Sequence, residues 1–203
     1  MVLGYLTALG VSTAAGLNAY LPLLLVGLLS RFTDLVHLSS PWDRLENPWV
    51  LAAIGVVGVL DFVGDKVPPI DHALHVIGLG VAPVAGGVAA LAAAGAVHVD
   101  PGIAALVGVV AALATHAGRT AARPVSTVAT GGLANPVLSL AEDGTSGVLT
   151  VLAFAAPVLA FLVVVLIAVA LIWGVRRWRA LGQRLDRAIA GRSRERVEPP
   201  PEA

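Results

Sequence analysis

Long apolar runs, each interrupted by a short polar or Gly/Pro-containing stretch, set the pattern of this chain. Residues 2–30, 49–63, 76–97, 102–123 and 147–173 are apolar over most of their length, and the last run holds no charged side chain in 27 residues. A run of that kind is long enough to cross about 30 Å of hydrocarbon with some tilt. The pattern predicts an all-α fold: a polytopic transmembrane helix bundle with broken or re-entrant helices. A β-barrel needs segments of about ten residues in strict alternation, and none occurs.

The interruptions carry the information. The first run is broken by G-L-N-A-Y-L-P at residues 16–22, which puts Asn18 at depth between helix-loosening Gly and Pro. Two readings stand: a discontinuous helix lining a cavity, or a kinked helix with Asn18 bonded to a neighbour. Residues 31–48 form a polar connection, with His37 in it and with Trp42 and Trp49 as interfacial anchors. The densest interruption is D-F-V-G-D-K-V-P-P-I-D-H-A-L-H, residues 61–75. Asp61 and Asp65 fall at i, i+4, Lys66 follows, Pro68-Pro69 break the helix, and Asp71, His72 and His75 come after. Ionisable groups at membrane depth cost about 2.5–3.5 kcal/mol each even on lenient scales, so such a cluster points to a pathway or a site. The plain alternative is a solvated cap, with Asp71 at the N-cap of the next helix.

The run at 76–97 is rich in Gly and Ala and predicts a close-packed helix. His98 and Asp100 belong to a turn. The end of the fourth run places His116, Arg119, Thr120 and Arg123 on one helical face ahead of Pro124. These arginines either snorkel to headgroups or turn inward to carboxylates. Residues 124–143, too short for a span and too apolar for a free loop, read as a re-entrant hairpin containing Asn135 and ending in Glu142-Asp143. S-T-A-A-G-L-N-A-Y-L-P from Ser12 and S-T-V-A-T-G-G-L-A-N-P from Ser126 share an order of Ser-Thr, Gly-Leu, Asn and Pro. This short, gapped match suggests a weak internal repeat, of the kind that marks a transporter site; Gly/Ala-rich segments also match by chance.

Composition agrees: 57% of residues are hydrophobic, 13% are charged and the mean hydropathy is +0.86, against about 25% charged in soluble domains. There is no cysteine, which removes disulfides and thiolate metal sites. The net charge is zero, yet eight of the 13 basic residues follow Trp173. By the positive-inside rule that end is cytoplasmic. The organisation expected is an integral membrane domain at 1–175, a basic juxtamembrane amphipathic segment at 176–196 that meets anionic lipid, and a disordered Pro/Glu-rich tail at 197–203. The first ten residues lack a positive n-region, so they read as a retained membrane segment and not a removable signal peptide. The expected location is the inner (plasma) membrane, with the lipid bilayer as partner, no nucleic acid, and room for a homo-oligomer.

Three stretches carry a resemblance: G-L-N-A-Y-L-P-L-L-L-V-G-L near the start, D-K-V-P-P-I-D in the middle, and H-A-G-R-T-A-A-R-P-V-S-T with N-P-V-L-S-L-A-E-D later. Together they resemble the bacterial membrane family known as domain of unknown function 4126. That resemblance implies a multi-spanning inner-membrane protein and brings no reaction with it. Separately, D-F-V-G-D-K at residues 61–66 looks like the E-x-G-D-K-T signature of cation/proton exchangers. Here Asp61 stands one residue too far from Gly64-Asp65, and Val67 replaces the Thr.

The function expected is transport of a small ion, a divalent cation coupled to protons. Asp61, Asp65, Asp71, Glu142 and Asp143 would supply metal-binding carboxylates, and His72, His75 or His116 would carry protons. Lys66, Arg119 and Arg123 would lock carboxylates or gate, and Asn18 and Asn135 would line the path. In the alternative, Lys66, Arg119 and Arg123 grip the phosphate of an anionic lipid or phosphorylated carrier. A non-catalytic membrane scaffold is the third reading. No G-x-S-x-G, H-E-x-x-H or complete lipid-phosphatase signature occurs, so the expectation is not an enzyme.

Overall fold

A computed structural model describes residues 2–64, 68–97, 99–131 and 133–195; the side chains of 65–72, 75, 96–98, 122–129, 132, 178, 181 and 184 onward lie outside the description. Among the described residues there are seven α-helices: α1 (Val2–Leu17), α2 (Leu21–Phe32), α3 (Pro48–Gly64), α4 (Pro68–Val97), α5 (Pro101–Thr130), α6 (Asn135–Ala155) and α7 (Pro157–Glu195). A short 3-10 helix, Trp42–Glu46, lies between α2 and α3.

Side-chain size is distributed in the reverse of a soluble domain. The interior is built from small residues such as Ala8, Ala14, Ala89, Ala90, Ala93 and Ala112, all at 0% exposure. The large apolar residues face outward: Val56, Leu60, Ile77, Leu106, Val110, Leu166 and Ile172 are all exposed. Lipid is as apolar as leucine, so helices in it gain little by hiding leucine and gain by close approach of small residues. Four helices are long and apolar enough to cross a membrane: segments Val76–Gly95, Pro101–Ala121, Asn135–Ala155 and Pro157–Arg177. Helix α3 has 17 residues, at the short end of what spans.

Helix α1 is the centre of the bundle and packs on α4, α5, α6 and α7. Glycines set the closest approaches. A methyl group at Gly86 of α4 would lie 2.7 Å from the carbonyl oxygen of Gly108 of α5. One at Gly16 would lie 2.6 Å from the Ala112 oxygen. Buried hydroxyls add polar ties where backbones meet: Ser12 Oγ donates to the Gly86 oxygen at 3.1 Å and Ser146 Oγ to the Ala14 oxygen at 2.9 Å.

These contacts fix the direction of each element. Tyr5 and Ala8 pack with Ala94 of α4 and Ala104 of α5, whereas Gly16 meets Ala112 and Thr115. Helix α4 therefore runs antiparallel to α1, and α5 parallel. Gly10 approaches Ala153, and Ala14 accepts from Ser146, so α6 is antiparallel to α1. Helix α2 does not continue downward from α1. Leu21 and Leu25 lie beside Gly147, Gly27 lies against Leu45 and Leu51, and Ser39 and Trp42 beyond its end reach Gly95 near the upper end of α4. Helices α1 and α2 thus form a hairpin: α1 descends from the upper end, turns at residues 18–20 inside the bundle, and α2 returns to the same end. Helices α3 to α7 then cross in alternate directions, so α1 begins at the end opposite the lower part of α7.

The structure corrects several expectations. Residues 2–30 are not one kinked helix; they break at residues 18–20 and fold back, which is the discontinuous reading. Residues 124–143 are not a re-entrant hairpin. Helix α5 continues through Pro124 to Thr130, Gly131 turns with φ +63°, and α6 begins at Asn135-Pro136. A proline inside a helix is tolerated where neighbouring helices satisfy the freed carbonyl; α4 likewise holds Pro83 internally. The charge-free run at 147–173 is not one span: it is the second half of α6 joined to α7 through Ala156, at φ −150° and ψ 73°. Pro157 drives this residue out of the helical region. Asp71 is not an N-cap, because α4 already starts at Pro68; proline at a helix start suits its missing N–H. Asp100 does cap: its Oδ1 accepts from the Ile103 N–H at 2.9 Å at the start of α5.

Candidate functional site at the hairpin tip

Turning a helix back inside a bundle leaves two sets of unpaired backbone groups, the last carbonyls of α1 and the first N–H groups of α2. The side chains around the tip answer both. Asn18 Oδ1 accepts from the Tyr20 N–H at 3.0 Å and the Leu21 N–H at 2.9 Å, which caps α2. Arg119 of α5 donates through its guanidinium to the Leu17 oxygen, the carbonyl end of α1. A cation at a helix C-terminus also meets the negative end of the dipole.

The same two residues reach across to α6. Asn18 Nδ2 donates to Asp143 Oδ1 at 2.9 Å. Arg119 Nε lies 3.3 Å from Glu142 Oε2. Both members of this ion pair are largely enclosed, with side chains 10% and 17% exposed. Breaking such a pair by removing one partner leaves an uncompensated buried charge.

His116 and Asp61 complete the ring. His116 is 5% exposed, and its imidazole lies against the bare backbone of Gly78; a methyl group there would collide with the ring. His116, Arg119, Asn18, Tyr20, Asp61 and Gly78 all line a small cavity of about 30 Å³. A cavity needs roughly 10–15 Å³ to hold one water, so this one admits a water or a single small ion. On the other side of the tip lies a wider recess of about 450 Å³ between α2, α3 and α6. Its walls are apolar, with Leu24, Ile54, Val59 and Phe62, and Asn18, Tyr20 and Asp143 also face it. Asn18 and Tyr20 line both spaces, so the hairpin tip is the partition between them. The Thr120 hydroxyl, one residue beyond Arg119, is enclosed and has no hydrogen-bond partner among the described residues.

Of the residues expected to form a site, Asn18, Asp61, His116, Arg119, Glu142 and Asp143 come together here, from three separate helices and the tip. Asn135 lies seven residues before Glu142, about 10 Å away along α6, in its first turn. Asp65 and Lys66 lie outside the described residues. The backbones of Asp71, His72 and His75 fall in the first turns of α4, and that of Arg123 near the end of α5, with their side chains outside the description. Among the described residues no group of three His or carboxylate side chains is arranged to hold a metal ion. His37 is an exposed loop residue, as expected, and Trp49 is 83% exposed. Trp42 is half-buried and packs against the core.

Sequence reasoning missed Tyr20 and Gly78. Tyrosine in an apolar run gives no signal of its own, and Gly78 is one of 22 glycines. The neighbourhood of Asn18 was the available hint for Tyr20.

The model of the family described as domain of unknown function 4126 matches residues 5–177, which takes in α1 from Tyr5, the whole of α2 to α6, the first part of α7 and every residue of the tip. The chain belongs to the DUF4126 family. No curated protein and no solved structure matches this DUF4126 chain. The family brings no reaction, so what the DUF4126 bundle does has to be argued from its chemistry.

Proposed function

We propose that the protein is a proton-coupled transporter of a small cation, with its binding site at the tip of the α1–α2 hairpin. The observation that carries this reading is the meeting of Asp61, His116, Arg119, Glu142 and Asp143 around an inward-turned helix break. Ionisable groups from distant parts of a membrane bundle rarely converge without a pathway to serve. Broken helices whose ends face such a point are the usual architecture of a transporter site.

Charge and size support a cation. Among the described residues three carboxylates at the tip stand against one guanidinium, and hard cations prefer carboxylate and carbonyl oxygen. A 30 Å³ chamber favours a single ion over an organic solute. The wider recess between α2, α3 and α6 serves as the approach, with Tyr20 and Asn18 as the gate.

Arg119 supplies the coupling. It holds the Leu17 carbonyl and Glu142 at once. A proton on Glu142 weakens that ion pair and loosens the anchor of the tip; loss of the proton restores both. Protonation and gate position are then linked through one side chain.

The test is flux into proteoliposomes carrying a pH-sensitive dye and a manganese-sensitive dye. Manganese added outside is expected to enter with proton movement in the opposite direction. Glu142→Gln and Asp61→Asn abolish this, and Gly80→Ala, at a position with nothing within 4 Å, does not. Entry no faster than into empty vesicles, or unaltered coupled flux in Glu142→Gln, overturns the proposal.

A further inference from the structure

A second recess lies on the opposite flank of α1, away from the hairpin tip. It is a crevice of about 410 Å³ between α5 and α7, floored by Thr13 and walled by Gly118, Ile167 and Leu171. Its lower mouth is bordered by Arg176 and Arg179. Gly118 lets α7 come close to α5, since a methyl group there would stand 2.8 Å from Leu171 Cδ1, and the crevice runs beside that contact. Small residues opposite Ile and Leu leave a slot along the bundle wall.

The two arginines are placed unlike their neighbour. Arg177 turns the other way and lies 5.7 Å from the Trp173 ring. Arg176 and Arg179 are separated by three positions, so they stand on one face of α7, and that face is the one that borders the crevice. The apolar segment Pro157–Arg177 ends at this level, where lipid headgroups meet water.

We infer that this crevice is a binding site for one anionic phospholipid, with an acyl chain in the α5–α7 slot and its phosphate held between Arg176 and Arg179. Charge complementarity decides the occupant. An apolar slot alone would take any lipid tail, but two guanidinium groups at its mouth select a phosphate of net negative headgroup. Basic side chains at a membrane surface each favour anionic lipid by a modest amount, and a fixed pair beside a preformed slot adds position to charge. The inference does not depend on the transport reading, since none of these residues belongs to the hairpin tip.

Native mass spectrometry of the full chain, incubated with equal phosphatidylglycerol and phosphatidylcholine, tests it. The wild-type chain is expected to retain one phosphatidylglycerol in preference. Arg176→Gln/Arg179→Gln reduces that preference by roughly tenfold or more, while Arg177→Gln and Arg184→Gln/Arg187→Gln keep it. Ala168→Phe, which fills the slot, weakens retention with the arginines intact. Equal retention of the two lipids by the wild-type chain overturns the inference. So does an unchanged preference in Arg176→Gln/Arg179→Gln, or an equal loss in the Arg184/Arg187 variant. Full retention in Ala168→Phe overturns the seat in the crevice.

Discussion

At the scale of single residues, two side chains hold the tip, each by more than one bond. Asn18 caps two N–H groups of α2 and donates to Asp143. Replacing it with alanine removes a cap and a buried donor together, so Asn18→Ala is expected to cost about 2 kcal/mol; a lowered Tm in detergent checks this. Arg119→Met removes the cation that meets both Glu142 and the Leu17 carbonyl and is expected to cost about 3 kcal/mol. Adding Glu142→Gln should recover part of that loss, because the two residues are in contact and do not act additively. If the double variant is as unstable as the sum of the singles, the pair is not coupled. These residues were legible in the sequence for one reason: a polar side chain inside an apolar run is expensive, so Asn18, Arg119 and Glu142 announced themselves. Tyr20 and Gly78 did not, since neither is out of place in a membrane helix.

At the scale of elements, glycine separates contact from open space. A Cβ on Gly78 would collide with the His116 ring, whereas a Cβ on Gly80 of the same helix would meet nothing within 4 Å. Gly78→Ala is therefore expected to displace the His116 ring and reduce flux with little loss of fold. Gly80→Ala should leave flux intact and raise stability by up to about 1 kcal/mol through helix propensity. Equal behaviour of the two variants would contradict the packing. Element boundaries were read less well than element type. Hydropathy does not change across Ala156, so a one-residue joint between α6 and α7 is silent in a charge-free run, and only Pro157 marked it. Pro124 misled in the opposite direction, because α5 passes through it.

At the scale of the molecule, the centre is α1 and not the charged stretch at 61–75. That stretch drew notice because charge is rare here, but its ionisable contribution to the site among the described residues is Asp61. The helical membrane class followed from length and composition alone. The return of α2 did not, since direction within a bundle depends on packing between distant residues such as Gly147 and Leu25. The hairpin makes a topological prediction. Single cysteines at Val2 and Phe32 should react with an impermeant thiol reagent from the same side of the membrane, and one at Gly131 from the other. Labelling of Val2→Cys and Phe32→Cys from opposite sides would mean that the first two helices span.

The central claim is that the α1–α2 tip sits inside the bundle against the helix that carries Asp61. The Cβ of Tyr20 would lie 3.4 Å from a Cβ built on Gly58, close to the spacing that a disulfide needs. The chain has no native cysteine, so the pair Tyr20→Cys/Gly58→Cys can be oxidised in native membranes and read by mass spectrometry of the linked peptides. The structure predicts a link formed within one chain in most molecules. Two cysteines that both react with a small thiol reagent, yet never join, would contradict it.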